Sequence, residues 1–309
     1  MPRTRRIIVL GIVVAGVAVL LLIGTTALGL YRYDWNNRTT RVMTRMLPYP
    51  AAVVNTEIIR VDAYRRTLDT VHALVDAQRN GTADPDLVQI PPDEQIDAST
   101  LDRMVEQTLI RQLNAARGIT IADADRQRIV TELAAQLGGG EQLDQKLQSL
   151  YGWDRSTFVA YVIDPYLERS VLERAVAFDD TIPETTEART RAEAARARLQ
   201  DGEAFATVAS AVSEDESTKS AGGDLGFIRP GDLVGLDEFV EALGTMEPGD
   251  TSGLVRTRLG THIILLEERV AADGDLPARD HVRHMLFRGK DFDTWLLEQQ
   301  RAARIYRFL

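Results

Sequence analysis

Few side chains in this chain can do acid–base, nucleophilic or metal chemistry. There are four histidines, at positions 72, 262, 281 and 284, and no cysteine. The lack of cysteine removes disulfides, thiolate nucleophiles and Cys-based metal sites together. Ser213 lies in no G-x-S-x-G elbow, so Ser/His/Asp hydrolysis has no motif to stand on. The histidines lack HExxH-type spacing, and neither a metal nor a cofactor is expected. Within DHVRHMLFRG (280–289), strand alternation puts Val282, His284 and Leu286 on one face and Met285 and Phe287 on the other. His281 then points away from His284 and reads as peripheral, while His72 falls in a helical pattern and reads as structural.

The elements that must position such residues lie mostly between 205 and 269. A helix (205–212) runs into a polar loop and a Gly-Gly-Asp-Leu-Gly turn. The short helix LDEFVEALGTM follows, then a Pro-Gly turn, and then the strand THIILLEE. Glycines at 222, 223 and 226 are too dense for a regular element and call for backbone freedom or close approach. They form no phosphate loop, since no Lys-Ser/Thr follows.

The chain's 309 residues suggest about two domains. A net charge of −10 argues against nucleic acid as a partner. Residues 7–30 form an uncharged apolar run preceded by Arg3, Arg5 and Arg6 and followed by Tyr31, Tyr33 and Trp35. As a helix the run reaches ~36 Å, enough for a ~30 Å hydrocarbon core. It is expected to be an uncleaved signal anchor, single-pass in the plasma (inner) membrane, with the remaining chain extracytoplasmic. Four arginines between 32 and 45, on the outer side, run against that orientation. From Pro48 to Asp179 the pattern is mostly helical: helices over 64–78, 101–118, 122–140 and 154–179, the last capped by Asp154 and kinked at Pro165. Residues 80–95 read as a loop, 178–187 as a connection, and 187–202 as a solvated helix with a Glu187–Arg191 pair.

AAVVNTEIIRVDAYRR, LIRQLNAARGITIADADR and GWDRSTFVAYVIDPYLERSVL, in this order, resemble the N-terminal chaperone module of SurA/PrsA-type foldases. A generic helical bundle is the plainer reading of the same residues. SEDESTKSAGGDLGFIRPGDL and EALGTMEPGDTSGLVRTRLGTHIILL resemble a parvulin-type peptidyl-prolyl isomerase. That resemblance implies a small antiparallel sheet surrounded by helices, binding an extended peptide with its proline in an apolar pocket. It carries His262 onto the family's last-strand histidine and Asp215 onto a loop position held by Cys or Asp, with Glu216 as the alternative. It carries Thr257 onto a threonine near the pocket. Leu225, Leu233 (usually Met) and Phe239 fall on proline-pocket positions, and Leu259 stands where others have Phe or Ser.

The family's opening strand, roughly Ala-Arg-His-Ile-Leu-Val, is absent before the first helix, and its pattern recurs at 280–289. A circular permutation is expected, with 281–287 returning antiparallel beside the strand that ends near Arg269 and bringing His284 to His262. The alternative is an ordinary extra strand with the first strand lost. Two facing histidines are also what a mutually hydrogen-bonded core pair looks like. The expected class is α+β: a stub and anchor over 1–35, a helical module over 48–179 completed by 291–309, and a parvulin-like domain over 187–289. IYRFL is expected to pair with AAVVN near residue 53. The implied function is prolyl isomerisation and chaperoning of unfolded exported polypeptides containing X-Pro bonds, with membrane attachment through 7–30. The alternative is an inactive membrane-tethered holdase.

Overall fold

The computed structural model describes residues 2–33, 35–77, 92–233, 235–272 and 277–309, with side chains from Val17 onward except that of Pro230. Most of the expected 80–95 loop, the centre of the VAADGDLPARD turn, and the side chains of Arg3, Arg5 and Arg6 lie outside the described residues. In chain order the helices are α1 (Pro2–Tyr33), α2 (Arg38–Met46), α3 (Val61–Ala77), α4 (Asp93–Ala116), α5 (Asp123–Gln136), α6 (Gly140–Tyr151), α7 (Arg155–Phe158), α8 (Asp164–Ala177), α9 (Pro183–Gln200), α10 (Phe205–Val212), α11 (Asp237–Gly244) and α12 (Phe292–Ala302). The strands are β1 (Pro50–Val54), β2 (Glu57–Arg60), β3 (Asp224–Ile228), β4 (Val255–Thr257), β5 (Gly260–Val270), β6 (Arg279–Phe287) and β7 (Ile305–Arg307). Helices with two small antiparallel sheets make the class α+β. The chain divides into two compact units, Met1–Glu168 with Gln300–Leu309, and Arg169–Gln299.

In the first unit β1 and β2 form a hairpin that turns at Asn55, whose φ of 56° is the left-handed conformation asparagine tolerates. The chain's last strand completes this sheet: Ala52 pairs with Arg307, Val53 with Tyr306 and Val54 with Ile305. That is the pairing expected of IYRFL. His72 is structural, with Nε2 2.9 Å from Asp97 Oδ1. Asp154 caps α7 by accepting the Thr157 N–H. A π-helical turn at Val159–Ile163 lies just before Pro165, in a helical run that continues from Arg155 to Ala177.

Among the described residues no single helix is long and apolar enough to cross a membrane. Val17–Tyr33 and Arg38–Met46 reach that composition only together, as a pair bent by 115°. The 7–30 run is not free along its whole length, because its C-terminal part packs on this unit. Tyr49 donates its hydroxyl to Ile23 O at 3.0 Å, Tyr31 donates to Pro50 O at 2.9 Å, and Thr26 and Leu30 are buried.

The second unit is built on a four-stranded sheet of order β3-β6-β5-β4. β6 lies in its interior, antiparallel to both β3 and β5. Strand alternation gives each face its own core. Ile263, Met285 and Phe287 meet Ala188, Ala192 and Ala195 of α9 and Phe205, Val208 and Ala209 of α10. Ile264, Leu266 and Val282 meet Phe239 and Leu243 of α11, with Met246 just beyond it. Two sequence expectations fail at α9. The helix starts at Pro183, inside the expected 178–187 connection, because proline suits the first helical position. Arg191 pairs with Glu214 at 2.8 Å rather than with Glu187, since its helix face is turned toward that loop.

Gly223 fixes how closely the glycine turn approaches β6. Its carbonyl accepts the His284 N–H at 2.8 Å, its φ is +80°, and a Cβ there would lie 2.1 Å from the His284 carbonyl oxygen. Gly226, at φ +68°, has open space around its Cβ direction. Gly223→Ala is therefore expected to cost about 3–5 kcal/mol, left-handed strain plus overpacking. Gly226→Ala is expected to cost about 1–2 kcal/mol, the conformational term alone. Urea unfolding of the two variants measures both; equal losses would show that close approach at Gly223 is not what the turn requires.

Candidate active site

β5 and β6 pair with His262 opposite Leu286 and Ile264 opposite His284, so the two histidines are diagonal neighbours on one face. Their Nδ1 atoms lie 3.3 Å apart and the rings stack at 5.5 Å between centroids. On one side His262 Nε2 is 2.9 Å from Thr257 Oγ1, which accepts the Leu259 N–H at 3.1 Å. On the other, His284 Nε2 is 2.7 Å from Asp215 Oδ2. The four residues implied by the family resemblance thus form one continuous row. Glu216, the alternative to Asp215, points outward toward Lys219.

Donor counting orients the row. An ionised carboxylate only accepts, so His284 presents Nε2–H to Asp215. With that ring neutral, its Nδ1 is a lone pair, His262 donates from Nδ1, and His262 Nε2 accepts the Thr257 hydroxyl proton. Every bond runs one way, from the Leu259 amide to the Asp215 carboxylate, with both imidazoles neutral. Electrostatics agree. Burial, aided by His284, lowers the His262 pKa to about 3. Burial also lowers that of His284, against the opposing pull of Asp215. Burial by itself would raise Asp215, but hydrogen bonds from Ser217, Thr218 and His284 outweigh it and hold the carboxyl well below its usual range.

Thr257 is 0% exposed, His262 1% and His284 6%. Thr257 and His262 therefore present almost no surface to solvent. Phe239 sets its ring edge-on to both histidines, 5.4 Å from His262 and 6.1 Å from His284. Leu225 and Leu233, half-buried, pack on the same cluster as Phe239. Leu259 is not among that cluster's residues; it sits in the β4–β5 turn. Phe239 itself is only 1% exposed, so in this conformation it backs the cluster rather than presenting a ring to solvent.

Sequence reasoning missed the groups that support Asp215. Thr218 Oγ1 and Ser217 Oγ each donate to its carboxylate at 2.7 Å. Ser213, fully buried, takes the Leu286 N–H at 3.2 Å and so ties this loop to β6. The signal was present in Asp215-Glu-Ser-Thr, an aspartate followed two and three residues on by hydroxyls, which is an Asx-turn pattern. His281 joins Asp224 and Glu267 in a trio with metal-ligand geometry. Arg283 already lies among them, 3.1 Å from Asp224 and 2.7 Å from Glu267, so a guanidinium supplies the cation there.

The neutral pair makes stability depend on pH with a definite sign. Unfolded histidines take up protons near pH 6.5, whereas His262 resists to about pH 3. Stability is thus complete above about pH 6.5 and is lost as pH falls from there toward the lowered native values, with Asp215 adding its own loss below about pH 4. His262→Gln is expected to flatten the slope of unfolding free energy between pH 6 and 5 by up to about 1.4 kcal/mol per pH unit. Urea titrations across that range measure it, and an unchanged slope in a folded variant would mean His262 is charged in the native protein.

Known proteins show the same two parts. Residues 176–268 match the Rotamase family, the PPIC-type PPIASE domain, and residues 3–148 match the SurA-like N-terminal domain. The first match ends before β6, which reaches the sheet from outside the matched span. Chaperone SurA of Chromohalobacter salexigens is 36% identical over 114 residues, 36% of this chain and 26% of the relative. Chaperone SurA of Thiobacillus denitrificans is 27% identical over 285 residues, 80% of this chain and 63% of the relative. The chain therefore spans from about a quarter to under two thirds of the length of these curated relatives. The crystal structure of peptidylprolyl isomerase PrsA from Bacillus anthracis is 17% identical and covers 65% of this chain and 86% of its own, at a TM-score of 0.21 too low to bear on the fold. Both family matches thus fall in chain order on the two compact units, so the chain combines a SurA-like N-terminal domain with a PPIC-type PPIASE domain and in this is similar to the parvulin-type foldases of the SurA/PrsA kind.

Proposed function

We propose that the second unit is a peptidyl-prolyl cis–trans isomerase and that the first holds unfolded exported polypeptides as a chaperone module. The observation that carries this is the continuous Asp215–His284–His262–Thr257 row, three of whose residues, Asp215, His262 and Thr257, lie within the span matching the PPIC-type domain. A prolyl bond isomerises over a barrier of about 18–20 kcal/mol set by amide resonance, so catalysis needs no covalent intermediate. It needs a surface that binds the twisted amide better than either planar form. In this reading Leu225, Leu233 and Phe239 form the apolar floor for the proline ring. Asp215 lies at the row's exposed end, its side chain 14% exposed, nearest to an incoming carbonyl. The buried histidines and Thr257 hold that carboxylate and the Phe239 ring in place.

The near-complete burial of Phe239 favours a second reading, a holdase whose isomerase pocket is closed. Attachment to a membrane through 7–30, with both units extracytoplasmic, is part of the proposal. It is supported by the uncharged run itself and by the exposure of Val17, Val19, Leu20 and Leu21 on α1.

Cis–trans exchange in X-Pro peptides, measured by NMR on the full chain in detergent, separates the two. Leu225→Ala and Leu233→Ala are each expected to remove about 1–2 kcal/mol of transition-state binding, roughly five- to thirtyfold in kcat/KM. Asp215→Ala is expected to fall further than Asp215→Asn, which keeps one hydrogen-bond acceptor for His284. No exchange above background from a folded chain that still suppresses aggregation of a proline-free client would overturn the isomerase and leave the holdase.

A further inference from the structure

The polarity of α2 is inverted relative to an ordinary surface helix. Its inward face carries Thr40 and Thr44, each 1% exposed, while Val42 is 47% exposed and Met46, one turn on, 74%. Arg38, Arg41 and Arg45 flank this outward apolar pair and are all exposed. Bonds at both ends keep the helix from rolling. Asn37 and Thr40 form a capping box, Thr40 Oγ1 also donates to Trp35 O at 3.0 Å, and Arg60 Nη2 donates to Arg45 O at 2.9 Å. Turning Val42 and Met46 inward would break these and expose two threonines already satisfied by backbone carbonyls.

The charge around α2 opposes that of the rest of the chain. Residues 32–46 hold Arg32, Arg38, Arg41 and Arg45 against Asp34, in a protein of net charge −10. Arg38 and Arg45 have no side-chain partner among the described residues. Tyr33 and Trp35, 61% and 46% exposed, stand between α1 and α2 with their rings stacked. The 115° bend turns α2 past a right angle to α1, so a helix running out of a bilayer along α1 would lay α2 along the surface.

We propose that α2 is an interfacial helix seated in an anionic lipid headgroup layer. Val42 and Met46 enter the boundary with the acyl chains, Arg38, Arg41 and Arg45 pair with lipid phosphates, and Tyr33 and Trp35 sit at headgroup level. The proposal rests on the reading of α1 as a membrane anchor. It gives a task to the arginines on the outer side, which that reading by itself leaves unexplained: they hold the outer end of the anchor flat against the membrane.

The chain has no cysteine, so single cysteines can be placed in the full protein at Leu20, Val42 or Met46 and spin-labelled. The labelled proteins are incorporated in phosphatidylcholine nanodiscs with or without phosphatidylglycerol. Labels at 42 and 46 are expected to favour oxygen over a water-soluble nickel chelate, at shallower depth than the label at 20, and more strongly with phosphatidylglycerol. Arg38→Gln with Arg45→Gln is expected to abolish that lipid dependence. A label at 20 in hydrocarbon with those at 42 and 46 in water would overturn the interfacial helix and leave the anchor standing. A label at 20 in water would overturn the anchor and this proposal with it. Labels at 42 and 46 shielded from both reagents would mean a protein partner or second copy covers α2, and lipid dependence that survives the double variant would overturn the arginine–phosphate pairing.

Discussion

The pairing of β5 with β6 is the constraint on which the second unit depends. It joins segments close together in the sequence and puts β6 between β3 and β5, so each sheet face receives side chains from both. One register sets three things at once. His262 and His284 become diagonal neighbours, Ile264, Leu266 and Val282 face α11, and Ile263, Met285 and Phe287 face α9 and α10. A slip of β6 by one residue would send His284 toward the alanine-lined core and bring Met285 to the face of Asp215 and His262. Arg269 secures the end of the pair, bridging to Asp280 at 2.9 Å and to the carbonyls of Leu243 and Met246 behind α11.

Burying two imidazoles, a hydroxyl and a carboxylate in such a small core is tolerable because they satisfy one another. Each bond in the row has one donor and one acceptor, and the sole charge sits at the more exposed end, among hydroxyls and the Ser217 amide. The arrangement resolves the two readings of a facing histidine pair without choosing between them. The rings are a mutually hydrogen-bonded core pair, and that pair braces the groups bordering the candidate pocket. Nothing in it requires proton transfer, which suits a reaction in which only a torsion changes.

In the first unit, sequence neighbours do most of the work at β1 and β2, while the third strand comes from the far end of the chain. The closing of a sheet by the last residues means that the two units cannot be separated by one cut in the sequence. The same unit takes one side of the C-terminal part of α1 for itself. A stretch that reads as uniformly apolar therefore has two environments.

Sequence alone determined whatever depends on local pattern or on a long ordered motif. The α+β class, most helices, the Asp154 cap and the strands at 261–268 and 281–287 follow from periodicity, turn residues and caps. The order SEDEST…GGDLG…PGD…THIILL was enough to point to the family, because so long a run of turn and strand signals rarely recurs by accident. Parity within 280–289 even separated His284 from His281. Tertiary structure decided the rest, for reasons of long-range contact. Only the fold shows that Asp215 rather than Glu216 reaches His284, that Ser217 and Thr218 hold it, and that Arg191 turns to Glu214 instead of Glu187. Only the fold shows that Phe239 is buried, that a π turn precedes Pro165, and that Thr40 and Thr44 take the inner side of α2. Helical spacing assigns residues to faces, but what each face meets depends on segments far away in the chain.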